Sequence, residues 1–87
     1  MMPHFISVEV GDSKGCSKTV GHTLILKVRG EDDIELTIED GSHPDSFLLK
    51  HDDPWLYLGP SKFTRICYKK STFTHKEKCR LDIAVLD

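Results

Sequence analysis

Cysteine and histidine are the side chains here best suited to chemistry, and their spacing decides what they can share. The chain has three cysteines and five histidines in 87 residues. Cys67, His75 and Cys79 offer two thiolates and an imidazole, with a fourth ligand available from His51, His43 or Cys16. That is a zinc donor set. The intervals lack the paired C-x-x-C knuckle by which zinc sites are recognised in sequence. The expectation is therefore core thiols and no metal or other cofactor, because free cysteine packs as a small apolar residue.

The histidines also suit general acid–base catalysis, as in a small His-dependent hydrolase. Gly41-Ser42-His43-Pro44-Asp45 gathers Ser, His and Asp, but neighbours in a turn point apart and make no triad. No catalytic residue is assigned. Gly11–Thr19 has two glycines and ends in Lys18-Thr19, yet Ser17 stands where a phosphate loop needs glycine. The stretch leads through Val20-Gly21-His22 into a strand rather than a helix. It reads as a surface loop.

Two segments carry binding chemistry. Residues 62–80 hold Arg65, Lys69, Lys70, Lys76, Lys78 and Arg80 beside Tyr68. Cations next to an aromatic platform suit single-stranded nucleic acid. The net charge of -2 argues against a strong polyanion binder. Asp52-Asp53-Pro54 is followed by Trp55-Leu56-Tyr57-Leu58. Trp55 and Tyr57 are candidate protein-binding anchors, since aromatics dominate such contacts.

Strands must position all of these. Leu24, Leu26 and Val28 alternate with Ile25, Lys27 and Arg29. After Gly30-Glu31-Asp32-Asp33, Ile34, Leu36 and Ile38 alternate with Glu35, Thr37 and Glu39. Period-two patterning marks strands with one buried face. Read as a hairpin, Thr23–Glu39 sets Leu24 against Ile38, with Lys27 against Glu35 and Arg29 against Asp33. Residues 5–10, 63–70 and 79–86 also read as strands. Residues 63–70 and 79–86 are expected to form a basic hairpin. Ser46–His51 is either a short strand or one helical turn.

The fold class expected is all-β: one domain over 1–87, a small antiparallel barrel or two-sheet sandwich of about six or seven short strands. Leu81–Leu86, Leu24-Ile25-Leu26 and Trp55–Leu58 are apolar on both faces. A second layer or a second copy must cover those faces, and a homodimer is expected. Residues 31–53 hold nine acidic side chains and one basic, Lys50; residues 62–80 hold seven basic and one acidic, Glu77. That division predicts a bipolar molecule. The N-terminal residues show no basic and apolar export pattern, and the odd cysteine count suggests thiols, so a cytoplasmic protein is expected. The leading functional expectation is a non-enzymatic interaction module that self-associates. Nucleic-acid binding is the alternative, and a small hydrolase the third reading.

Overall fold

The computed structural model describes residues 3–41, 43–71 and 79–86. Among the described residues there are eight strands: β1 (His4–Val10), β2 (Gly15–Gly21), β3 (Thr23–Arg29), β4 (Ile34–Glu39), β5 (Asp45–Leu49), β6 (Leu56–Leu58), β7 (Phe63–Lys70) and β8 (Cys79–Leu86). They form two antiparallel four-stranded sheets. Sheet A has the order β1-β8-β3-β6, and sheet B the order β2-β7-β4-β5. The fold is an all-β sandwich rather than a closed barrel. Its eight strands cross repeatedly between two layers, as in a double-sheet jelly roll.

The core lies between the sheets, and alternation supplies its buried residues from every strand except β2 and β6; Leu56 and Leu58 of β6 pack partly buried against it. Sheet A contributes Val10 from β1, Leu24, Leu26 and Val28 from β3, and Cys79, Leu81, Ile83 and Val85 from β8. Sheet B contributes Ile34, Leu36 and Ile38 from β4, Leu49 from β5, and Phe63, Ile66 and Tyr68 from β7. Leu24, Leu26, Ile34, Ile66 and Leu81 are wholly buried. Each such side chain is worth about 1.5–3 kcal/mol of transfer free energy.

The expected hairpin is corrected. β3 pairs with β6 and β8, while β4 pairs with β5 and β7. Residues 30–33 carry the chain across the sandwich, so the two apolar sets meet face to face rather than side by side. The turn requires Gly30: its φ is 146°, and a Cβ there would lie 2.7 Å from the Cys79 Cβ. The predicted cross-strand ion pairs fall with the hairpin. The Lys27 ammonium instead donates to the Asp53 carbonyl, and Arg29 binds Asp82 at 2.9 Å.

Residues 63–70 and 79–86 are likewise in different sheets, so the basic hairpin does not exist. The loop expected over Gly11–Thr19 is overturned as well, because β2 occupies most of it. Part of the bipolar division is offset inside sheet B. Acidic β4 lies antiparallel to basic β7, with Glu39 bound to Arg65 and Glu35 opposite Lys69. At the end of β7, Lys70 forms a buried ion pair at 3.0 Å with Asp32, which stands just before β4. Among the described residues, the strands at the centre of the two charge blocks are neighbours.

Candidate interaction face

The outward residues of sheet A fall into rows across its strands. Phe5 is opposite Ala84, Ala84 is opposite Ile25, and Ile25 is opposite Tyr57. One apolar row therefore crosses all four strands on the outer face. Trp55 flanks it, just before β6. Phe5 is 73%, Tyr57 63% and Trp55 48% exposed. Phe5 and Trp55 also border a hollow of about 300 Å³, lined in addition by Ile6, Ser7, Asp82 and Ile83.

A polar network fixes this surface. Ser7 Oγ donates to Asp82 Oδ1 at 2.8 Å, and Arg29 Nε donates to Asp82 Oδ2 at 2.9 Å. Arg80 donates to Ser7 Oγ at 3.1 Å and stands 3.8 Å from Glu9. Burial pushes the Asp82 carboxyl up, but hydrogen bonds from Arg29 and Ser7 outweigh it and hold the group below the ordinary carboxylate value. Arg29 also stacks over Trp55, 5.6 Å from the ring centroid. With the bond from Lys27 to the Asp53 carbonyl, this lays residues 53–55 against the sheet. Trp55 is held in place while much of its ring faces outward.

Trp55 and Tyr57 are thus exposed and on one face. Phe5 was missed as a site residue because its neighbours in the row come from distant strands. The nucleic-acid candidates do not share a face. Arg65 and Lys69 lie on the outer face of sheet B, and Arg80 on that of sheet A. Tyr68 points into the core at 8% exposure, with its hydroxyl 2.7 Å from Ser17 Oγ. Lys70 is buried against Asp32, whose hydrogen bond keeps the ammonium's pKa above the ordinary lysine value. Lys76 and Lys78 lie outside the described residues.

The cysteines divide differently from expectation. Cys79 is a buried free thiol, pushed up in pKa by burial. Cys67 is not a core thiol: it faces outward from sheet B and is disulfide-bonded to Cys16. The two cysteines of the zinc grouping lie in different sheets, Cys67 tied to Cys16 and Cys79 buried, and His75 lies outside the described residues. Among the described residues, no three His, Cys, Asp or Glu side chains gather to hold a metal. His4, His22, His43 and His51 are all exposed. His51 Nδ1 lies 2.9 Å from Asp33, which raises the histidine pKa and lowers that of the carboxyl through their hydrogen bond. No described helix is long and apolar enough to cross a membrane.

No family model and no curated protein match the chain. Several solved structures do. Hydroxypropylphosphonic acid epoxidase from S. wedmorenis in complex with fosfomycin superposes with a TM-score of 0.60 at 15% identity, covering 95% of this chain and 42% of that one. The cobalt(II) form of HppE in complex with substrate gives a TM-score of 0.59 at 14% identity, again over 95% and 42%. The iron(II) form gives 0.59 at 15%, over 94% and 41%. The likeness is one of fold. The chain spans well under half the length of these enzymes, and the likeness carries no activity across to it.

Proposed function

We propose that this protein is a non-enzymatic interaction module that binds a second copy of itself through the outer face of sheet A. The observation that carries this reading is the Phe5–Ala84–Ile25–Tyr57 row. A monomer gains nothing by leaving two aromatics of a four-strand apolar stripe in water. A two-fold interface must complement itself, and the flanking rows suit that. Glu9 and Asp82 alternate there with Lys27, Arg29 and Arg80, and Arg29 and Arg80 already bind Asp82 and Glu9. Little uncompensated charge faces a partner copy. Trp55, Tyr57 and Phe5 are the anchors, in keeping with the weight of aromatics at interface centres.

Sedimentation velocity tests the proposal. The wild type should run as a dimer, while Ile25→Lys and Tyr57→Glu run as folded monomers. Lys18→Glu, on the outer face of sheet B, should leave the dimer intact. A wild type monomeric at all concentrations, or a dimer broken by Lys18→Glu and not by Tyr57→Glu, would defeat it. Cytoplasmic residence belongs to the same proposal as a reading of the sequence alone, and the Cys16–Cys67 disulfide takes away two of the three thiols on which it drew. In that compartment the Cys16–Cys67 bond would have to be made and broken rather than permanent.

A further inference from the structure

β2 is the edge of sheet B and hydrogen-bonds to β7 on one side. Its inward residues are Gly15, Ser17, Thr19 and Gly21, and none of them belongs to the apolar core. Two of these have no side chain because there is no room: a Cβ on Gly15 would lie 2.7 Å from the Tyr68 ring, and one on Gly21 2.6 Å from Val85 Cγ1. The ladder to β7 is itself interrupted between Lys18 and Gly21. The hydrophobic effect therefore holds this strand weakly. Its side-chain anchors are the Ser17–Tyr68 hydroxyl contact and the Cys16–Cys67 disulfide.

That disulfide is asymmetric. Cys16 is exposed, while Cys67 is 2% exposed. Beside Cys67 is a hollow of about 160 Å³ lined by Lys14, Lys69, Glu35, Thr37 and Tyr68. Cys16 is the exposed partner and so the one open to an incoming thiolate, and the hollow beside Cys67 is lined by two lysines against one carboxylate, Glu35, a balance that favours a departing thiolate there.

We propose that Cys16–Cys67 is a thiol-exchange site for a small external thiol, and that opening it releases β2 from the edge of sheet B. An external thiolate attacks the Cys16 sulfur and forms a mixed disulfide. The S–S bonding pair leaves on Cys67 as thiolate, which takes a proton from water. A second external thiol, losing its proton to water, attacks the external sulfur of the mixed disulfide. An external disulfide departs, and Cys16 leaves as thiolate. Two external thiols are oxidised and one protein disulfide is reduced. Without its covalent tie, β2 opens locally and bares the edge of β7. This device lies on sheet B and does not depend on the dimer face of sheet A.

Two measurements on the full native chain test it. Glutathione treatment, alkylation and peptide mass mapping should show a glutathione adduct on Cys16, alkylation on Cys67 and no modification of buried Cys79. Cys16–Cys67 remaining intact until the protein is denatured would overturn the proposal. Hydrogen exchange of residues 15–21 should accelerate about tenfold or more on reduction, with residues 45–49 of β5, the opposite edge of the same sheet, unchanged. Cys16→Ser should reproduce the reduced pattern. Should that variant fail to fold, the reduced wild type still decides. Unchanged exchange in β2, or equal acceleration in β5, would refute local release.

Discussion

Thr19→Val should stabilise the protein. Thr19 is 1% exposed, and its hydroxyl meets no hydrogen-bond partner among the described residues. It points inward by alternation with Ser17 and Gly21, at the point where the β2–β7 ladder is interrupted. A buried hydroxyl without a partner carries a desolvation cost of about 1–3 kcal/mol. Valine keeps the shape and the β-branch and replaces the hydroxyl with a methyl. The expected gain is about 1–2 kcal/mol, allowing for imperfect packing of the new methyl. For a domain of this size each 1 kcal/mol moves Tm by roughly 4–8 °C. Thermal and urea denaturation of the oxidised protein at neutral pH would read the change. Thr19→Ser is the control: it keeps the hydroxyl, loses a methyl and should cost about 1 kcal/mol. A lower Tm for Thr19→Val would show that the hydroxyl is satisfied, and would refute the reasoning.

Other expectations follow from single contacts. Leu26→Ala, at a wholly buried position between β6 and β8, should cost about 2–5 kcal/mol in urea unfolding. Gly21→Ala should cost about 1–3 kcal/mol, because the new methyl meets Val85 Cγ1 at 2.6 Å and the Leu86 carbonyl oxygen at 2.9 Å. The His51–Asp33 pair makes a pH prediction. The raised pKa of His51 means its contribution is complete below the ordinary value of 6.5 and is lost as pH rises through the folded value. The lowered pKa of Asp33 means its contribution is present above 3.8 and is lost as pH falls through the folded value. The pair should therefore support the fold best between those two ordinary values. An NMR titration should show the His51 ring pKa falling back toward 6.5 in Asp33→Asn, and no change on that substitution would contradict it.

The sequence showed faces more readily than neighbours. Alternation correctly turned Leu24, Leu26 and Val28 inward, and Ile34, Leu36 and Ile38 likewise. Parity tells which side of a strand is buried and is silent on which sheet the strand joins. A four-residue link serves a hairpin or a crossing between layers equally well, and the tight approach of Gly30 to Cys79 is visible in space alone. β2 escaped notice because its inward residues are Gly, Ser, Thr and Gly, which carry no apolar signal. With β2 unseen, Cys16 could not be matched to Cys67. Trp55 and Tyr57 stood out by type and setting. Ile25 and Ala84 betrayed themselves as apolar residues on the second face of apolar strands. Joining them with Phe5 into one row needed the order β1-β8-β3-β6, which follows from no local pattern.

The chain has a single tryptophan, and it stands on the face in question. Acrylamide quenching of Trp55 fluorescence across a wide range of protein concentration therefore reports on that face directly. If sheet A docks a second copy, quenching of wild-type protein falls as concentration rises, while Ile25→Lys remains strongly quenched throughout. Quenching of the wild type that stays constant over the whole range would mean that the outer face of sheet A meets no second copy.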